Sequence, residues 1–180
     1  MKQKQMSMPG RWLTVLALTS ALGISTSVLA QQWRVPAAQE FARTKICLGE
    51  MQQPLQVELA DSSAQHARGL MQRQSLDDDA GMLFRYQQPR PGDSGFWMYQ
   101  TLIPLDIAYL NADMEIVKTF TMMPCSSQDP RRCRSYAPGK TYQYALEVNA
   151  GFFAEHDIRI GDRVVMAADL DTGQDCDDIH

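Results

Sequence analysis

Five polar or aromatic side chains have the types and positions from which a ligand site could be built. They are Arg68, Trp97, Thr101, Asp106 and Glu147. An arginine can hold a carboxylate or phosphate through paired hydrogen bonds, and two carboxylates can share acid–base work or bind a cation. Aromatic rings and a hydroxyl can line a groove for an organic ligand. The sequence therefore predicts a small-molecule site at these five residues.

Each of the three charged residues also has a structural interpretation. Arg68 lies in a predicted helix and could pair with Asp106 or Glu147, which would lock that helix to a sheet. Asp106 follows the apolar run "LIPL" and could accept backbone hydrogen bonds at a turn, since an unpaired buried carboxylate is costly. Glu147 lies on the polar face of its predicted strand, where a solvent-facing glutamate is the commoner case. The functional and structural interpretations stay open at all three positions.

The aromatic stretch before Thr101 has the same two interpretations. Residues 96–99 read Phe-Trp-Met-Tyr, which predicts a short apolar strand. Alternation along a strand places Phe96 and Met98 on one face and Trp97 and Tyr99 on the other. We expect one of these pairs to belong to the core and the other to be exposed, where it could line a groove.

The spacing of apolar residues predicts the elements that would position this site. Period-2 alternation and turn signals predict strands at 55–60, 81–84, 96–99, 107–110, 115–121, 142–149 and 164–167. Asp61, Ser62 and Ser63 are candidate N-caps for a helix that runs through about Met71, with Gly69 inside it. Residues 150–157 predict one or two helical turns. The fold class expected is α+β, predominantly antiparallel β, with a small barrel-like sheet and one or two short helices.

The N-terminus has the pattern of an export signal. A basic segment with Lys2, Lys4 and Arg11 precedes an apolar run over 12–22, and small residues follow up to Ala30. That run is shorter than the roughly 20 residues of a membrane-spanning helix, although an uncleaved anchor is the alternative. We expect a signal peptide at 1–30, an N-terminal arm at 31–54, one globular domain at 55–168 and an acidic tail at 169–180. Cleavage near Ala30 would make the protein periplasmic or secreted, and only the leader would contact the membrane.

Composition and charge narrow the classes of partner. The chain has 17 Lys and Arg residues against 21 Asp and Glu, and losing the three bases of the leader leaves 14 bases, a formal charge of −7. So acidic a chain is not expected to bind nucleic acid through its overall charge. His66, His156 and His180 lie outside any metal-ligand spacing, and "DLDTGQD" (169–175) departs from the spacing of a calcium loop. We expect no metal and no cofactor. His66 is expected on the exposed side of its helix.

Four cysteines allow three pairings. Export makes disulfides permissible. Cys125 and Cys133 are close in sequence, in a segment stiffened by prolines, and they are predicted to form a local bridge. The remaining pair, Cys47 with Cys176, would tie the N-terminal arm to the tail.

Five motifs in this order and spacing resemble a known family. They are "ARGLM" (67–71), "GMLF" (81–84), "FWMYQTLIPLDIAYL" (96–110), "CRSYAPG" (133–139) and "YALEVNAGF" (144–152). Together they resemble the family of domain of unknown function 192, over about residues 55–166. The resemblance implies a compact β-rich domain, often exported, and carries no established activity. The segments with Cys47 and Cys176 lie outside the shared motifs.

Two hypotheses about function follow from these residues. The first is a periplasmic ligand-binding or accessory module without catalysis, whose partner is an unknown small molecule or an envelope protein. It requires a pocket bounded by Trp97, Thr101 and Asp106 and approached by Arg68. The alternative is a hydrolase or lyase that uses Asp106 and Glu147 as a carboxylate pair, with Arg68 as an electrostatic clamp. That mechanism requires the two carboxylates to share one cleft.

Overall fold

Most of the strands form where apolar and polar residues alternate. The computed structural model describes residues 34–166 and Cys176. The strands are β1 (Ala42–Leu48), β2 (Leu55–Ala60), β3 (Ala80–Arg90), β4 (Phe96–Trp97), β5 (Leu105–Leu110), β6 (Ile116–Met122), β7 (Ser135–Tyr136), β8 (Tyr142–Asn149) and β9 (Val164–Met166). The helices are α1 (Ser63–Arg68) and α2 (Phe152–Glu155), with a 3₁₀ turn at Pro130–Arg132.

Seven of these strands form one sheet in the order β6-β5-β8-β3-β2-β1-β9. Only β2 and β3 are parallel, and α1 lies in the connection between them; the other neighbours are antiparallel. β4 and β7 form a separate two-stranded sheet. The predicted class, α+β with a mostly antiparallel barrel-like sheet, is confirmed, as is the hairpin of β5 and β6.

The sheet curls because its two edge strands approach each other. The amide of Ile116 in β6 donates to the carbonyl of Asp162, and the Gly161 amide donates to the Ile116 carbonyl, at 2.8 and 2.9 Å. The Val164 amide in β9 donates to the Met114 carbonyl at 2.9 Å. These bonds bring the first and last strands of the sheet together and give it the form of a half-barrel.

The curled sheet has apolar clusters on both faces. The inner cluster includes Ile116 and Val164 from the two edge strands together with Leu83 and Leu146 from the middle of the sheet. The outer cluster lies on the opposite face of the same strands and includes Met82, Phe84, Ile107, Tyr109 and Ala145. Because both faces are buried, the polar side of a strand in this fold is not necessarily a solvent-facing side.

Two details differ from the sequence predictions. The segment interpreted as an arm, 31–54, contains β1, which pairs with both β2 and β9. β1 shows no alternation of exposed and buried residues, because its first half is largely exposed and its last three residues are all buried. The expected face-sharing of Trp97 and Tyr99 is wrong, since Tyr99 is buried and Trp97 is exposed. β4 ends at Trp97, so the alternation does not continue to Tyr99.

Both predicted cysteine pairings are confirmed. Cys125 and Cys133 are bonded, with Cα atoms 5.6 Å apart, and Cys47 is bonded to Cys176, with Cα atoms 5.4 Å apart. Two disulfides are compatible with an oxidising compartment. The predicted signal peptide and, apart from Cys176, the predicted acidic tail lie outside the described residues. No helix within residues 34–166 has the length and apolar character needed to cross a membrane.

Candidate functional site

Helix α1 is fixed at its start by a capping box. The Ser62 hydroxyl accepts from the Gln65 amide at 3.2 Å, and the Gln65 side chain accepts from the Ser62 amide at 3.0 Å. The Gln65 side chain also donates to the Glu40 carbonyl at 2.7 Å, which ties α1 to the segment before β1. A six-residue helix is marginal alone, so these bonds and its packing hold it over the outer face of the sheet.

Gly69 ends α1. The prediction that it lies inside the helix is wrong. Its backbone has φ +45°, a conformation that glycine adopts without strain, and its amide donates to the Gln65 carbonyl. A Cβ atom here would lie 3.3 Å from the Phe84 ring. Gly69 therefore lets the end of α1 approach Phe84 closely.

Between α1, β4 and the outer face of the sheet lies an open cavity of about 350 Å³, which we call the Glu147 cleft. Apolar and aromatic side chains form much of its lining, and charged and hydroxyl groups stand among them. Its lining includes His66, Arg68, Phe84, Tyr86, Arg90, Phe96, Trp97, Thr101, Tyr142 and Glu147. Polar and apolar groups share this lining about equally, which makes the cleft more polar than most small-molecule sites but gives it groups that can orient a ligand.

Glu147 is the buried acid of this cleft. Its strand pairs it with Met82 of β3 and Ile107 of β5, both in the outer cluster, so its side chain points to the outer face. Only 5% of the residue is exposed, and within the described residues its carboxyl group makes no hydrogen bond or ion pair; since no fully buried side-chain oxygen there lacks a partner, the carboxyl group is reachable from the cleft. Burial raises the pKa of Glu147 from its ordinary value of 4.5 to about 8. The prediction of a solvent-facing glutamate is wrong.

Three tyrosines lie around this acid on the outer face. Burial raises the pKa of Tyr86, Tyr109 and Tyr142, and the charge of Glu147 adds to the increase at Tyr86 and Tyr109. The Tyr142 ring packs against the other two, with centroids 5.9 Å from Tyr86 and 4.8 Å from Tyr109. The Tyr142 hydroxyl donates to the Ser94 carbonyl at 2.9 Å. These phenols stay neutral at physiological pH, so they add no negative charge beside Glu147.

The cleft also contains residues that the sequence analysis did not select. His66 is half-buried rather than exposed, and its Nε2 lies 2.8 Å from the Ala60 carbonyl and 3.1 Å from the Arg85 carbonyl. Two carbonyl neighbours assign the proton to Nε2. Arg90 lies over the Tyr86 ring, with its Cζ 5.1 Å from the centroid. Arg90 could not be assigned from motifs, because strand β3 extends through the segment "QQPR", which was expected to end it.

Arg68 lies at the cleft without a carboxylate partner. Its Nη1 donates to the Pro36 carbonyl at 2.8 Å, and among the described residues no acid accepts from it. The predicted ion pair with Asp106 or Glu147 is therefore not formed. Pro36 belongs to a segment without periodicity, so no sequence signal pointed to this contact. The guanidinium keeps donors available for another acceptor.

Asp106, by contrast, is not part of the cleft. It is 4% exposed and accepts from the Thr121 hydroxyl at 2.6 Å, the Gly151 amide at 2.9 Å and the Phe153 amide at 3.3 Å. The last two donors belong to the start of α2. Asp106 therefore joins β5, β6 and α2, and the structural interpretation of this residue is the one that the geometry supports.

The register of β5 and β8 separates the two carboxylates. Asp106 pairs with Val148, and Glu147 pairs with Ile107. Directly opposed residues of antiparallel strands project to the same face, and successive residues project to opposite faces. Asp106 therefore points inward with Val148, whereas Glu147 points outward with Ile107. The carboxylate-pair mechanism lacks its required geometry, and the predicted pocket contains Trp97, Thr101, Arg68 and Glu147 but not Asp106.

Trp97 and Thr101 lie on the β4 side of the cleft. Trp97 is 44% exposed, and β4 holds it through its pairing with Ser135 of β7. Thr101 is buried, and its amide donates to the Met98 carbonyl at 3.2 Å. Within the described residues the Thr101 hydroxyl makes no hydrogen bond. No set of three or more His, Cys, Asp or Glu side chains in the described ranges is placed to hold a metal ion.

The fold and this cleft define a class of protein: a curled, mostly antiparallel sheet with an acid-containing cavity on its outer face. The family model of domain of unknown function 192, described as "Uncharacterized ACR", matches residues 44–166. The chain belongs to this family, as the motifs predicted. The match begins within β1 and ends with β9. No curated protein matches the chain.

Two crystal structures have the same fold. One is a protein from Sinorhizobium meliloti 1021 described as a "putative transcription regulator". It is 29% identical to this chain, the match covers 74% of this chain and all of that chain, and the TM-score is 0.63. The other, from Novosphingobium aromaticivorans DSM 12444, is described as a protein of unknown function. It is 28% identical, with 74% of this chain and 94% of that chain covered and a TM-score of 0.60. Neither description assigns an activity to this cleft.

Proposed function

We propose that this protein is an exported binding module that takes a small organic ligand in the Glu147 cleft, without catalysis. The observation that carries the proposal is Glu147 itself, a buried acid that borders a cavity and has no partner among the described residues. Burying an acid without a partner costs free energy, whether it is held neutral or ionised. An apolar residue at this position would avoid that cost, so the acid is better explained by an interaction with a ligand.

The surroundings of Glu147 support binding of an organic molecule. The cleft has aromatic walls, including Phe96 and Trp97, and a hydroxyl group at Thr101 with no hydrogen bond within the described residues. Four of the five residues that the sequence singled out line this cleft although they come from three separate segments of the chain. Aromatic surface supplies affinity, and a few polar groups supply orientation.

Export is the second part of the proposal. The basic, apolar and small-residue segments of 1–30 have the order of a signal peptide. Two disulfides suit a periplasmic or extracellular location. The description of the Sinorhizobium protein suggests a regulatory role for that protein. The excess of Asp and Glu over Lys and Arg in this chain does not favour binding to DNA.

The binding proposal is tested by a fragment screen on the purified, disulfide-bonded protein, read by NMR chemical-shift changes of amide groups. We expect fragments that bind to shift the resonances of the amides of 66–71, 95–101 and 145–148. We expect Trp97→Ala to lower the affinity of these fragments about tenfold. Ile160→Ala is the control, because Ile160 is also exposed and apolar but lies outside the cleft. The proposal is wrong if no fragment shifts these amides, or if both variants bind alike.

A further inference from the structure

An acidic side chain and two basic ones lie at separate places in the Glu147 cleft. Glu147 lies on the sheet with 5% of its surface exposed, whereas Arg68 is half-buried on α1 and Arg90 is exposed at the end of β3. All three line the same cavity. A ligand in this cleft would therefore meet a carboxyl group on its inner side and guanidinium groups nearer the solvent.

The two arginines are available to a ligand. Within the described residues Arg68 donates only to the Pro36 carbonyl, and Arg90 forms no ion pair but lies over the Tyr86 ring and hydrogen-bonds with the Tyr142 side chain, which leaves further donors on each guanidinium. Other arginines of the chain differ from them, because Arg73 and Arg85 are paired with Glu58 and Asp61. Guanidinium groups with free donors favour a planar anion such as a carboxylate.

These guanidinium groups do not compensate Glu147. Burial is the cause that raises the pKa of Glu147, and no cation acts against it. An arginine in contact with the carboxylate would lower this pKa instead. The carboxyl group of Glu147 and the guanidinium groups of Arg68 and Arg90 thus line one cavity, and none of them is paired with an opposite charge within residues 34–166.

The aromatic lining of the cavity suits a cation with a hydrocarbon body. Phe84 and Phe96 pack edge to face at 4.8 Å, and Phe96 packs against Tyr109 at 5.7 Å. Aromatic rings attract an ammonium group through their faces and also cover methylene groups. The cavity volume of about 350 Å³ lies near the lower end of the range for ligand sites, which favours a small molecule.

We propose that the Glu147 cleft binds a small zwitterion, with its ammonium group on the Glu147 carboxylate and its own carboxylate on Arg68 and Arg90. This inference rests on the binding function proposed above. It names the ligand by chemistry: a primary amine and a carboxylate joined by a short hydrocarbon chain. Both ends are needed, because each one meets an ionisable group of the protein that has no partner of opposite charge in the part of the chain that the structure describes.

A series of ω-amino acids from 3-aminopropanoate to 6-aminohexanoate tests the inference. Each is compared by calorimetry with its methyl ester, which lacks the anion, and with its N-acetyl derivative, which lacks the cation. We expect the best zwitterion to bind at least about tenfold more tightly than either derivative, as the loss of one charged hydrogen bond implies. An ester that binds as well as its parent acid, or a series in which no member binds, would overturn the inference.

Variants assign each end of the zwitterion to its residue. Glu147→Gln should remove the preference for the amine over its N-acetyl form, and Arg68→Gln should reduce the preference for the acid over its ester. Glu155→Gln and Arg159→Gln make the same chemical changes at exposed positions outside the cleft and should leave both preferences intact. Preferences that survive both cleft variants contradict the assignment.

The two proposals fail in different ways. If neutral or anionic fragments shift the cleft amides and the zwitterions do not, the binding function stands and the zwitterion inference is wrong. If neither group of probes shifts these amides, both are wrong.

Discussion

Two buried carboxylates lie on neighbouring strands of this protein and have opposite surroundings. Asp106 accepts three hydrogen bonds on the inner face of the sheet, and Glu147 accepts none from the described residues on the outer face. Their exposed fractions are almost the same, at 4% and 5%. Burial alone therefore does not distinguish a structural acid from a functional one. Their hydrogen-bond partners distinguish them, because a buried carboxylate that accepts hydrogen bonds stabilises the fold and one without a partner does not.

The largest expected difference between the two acids is in stability. Asp106→Ala leaves the Gly151 and Phe153 amides without their acceptor and should lower the free energy of unfolding by about 3 to 4 kcal/mol. Glu147→Gln removes no hydrogen bond and should change it by less than about 1 kcal/mol at pH 5. Urea denaturation of both variants measures the contrast. Equal losses would remove the distinction between the two acids.

The next largest expected effect is a dependence of the free energy of unfolding on pH that comes from Glu147. Since the pKa of Glu147 is raised from 4.5 to about 8 in the folded protein, the folded state keeps a proton that the unfolded state loses. The free energy of unfolding should therefore fall with rising pH between these values, by about 3 to 4 kcal/mol relative to Glu147→Gln. Urea denaturation of both proteins from pH 5 to pH 8 measures this difference, and parallel curves would contradict it.

The Gln variant isolates Glu147 because both proteins share the other charged and titratable groups facing the cleft. Those groups are His66 and Arg68 on α1, Tyr86 and Arg90 on β3, Tyr109 on β5 and Tyr142 on β8. The raised pKa of each tyrosine keeps it neutral across this pH range.

A smaller effect is expected from two threonines near these acids, Thr121, which is exposed at the surface, and Thr101, which is buried. Thr121→Val removes a donor to Asp106 and should destabilise the protein by about 1 to 2 kcal/mol. Thr101→Val removes a hydroxyl that makes no hydrogen bond within the described residues, so stability should change by less than about 0.5 kcal/mol. Thermal unfolding of both variants tests this. A larger loss at Thr101 would show that its hydroxyl has a structural role.

Much of the fold was predictable because its signals are local. The hairpin of β5 and β6, the N-cap of α1 and the short bridge between Cys125 and Cys133 each depend on a few neighbouring residues. β1 was not recognised, because its burial changes along the strand and leaves no alternation. Periodicity detects a strand only when one face is buried along its whole length.

The burial of Glu147 could not be predicted for a different reason. Its strand shows the expected alternation, but α1 and the outer cluster cover the face on which its polar residues lie. That cover comes from distant parts of the chain. The separation of Asp106 from Glu147 likewise depends on the register between β5 and β8, which no single stretch of sequence specifies.

The most direct test of the account is a ¹³C NMR titration of the Glu147 side-chain carboxyl, with and without a saturating concentration of the tightest ω-amino acid. We predict a midpoint near 8 in the free protein and a lower midpoint when the ligand is bound, since an ammonium group stabilises the ionised form. A midpoint near 4.5 in the free protein would contradict the account, because Glu147 would then have a partner or free access to solvent. A midpoint that the bound ligand leaves unchanged would contradict the placement of its ammonium group on Glu147.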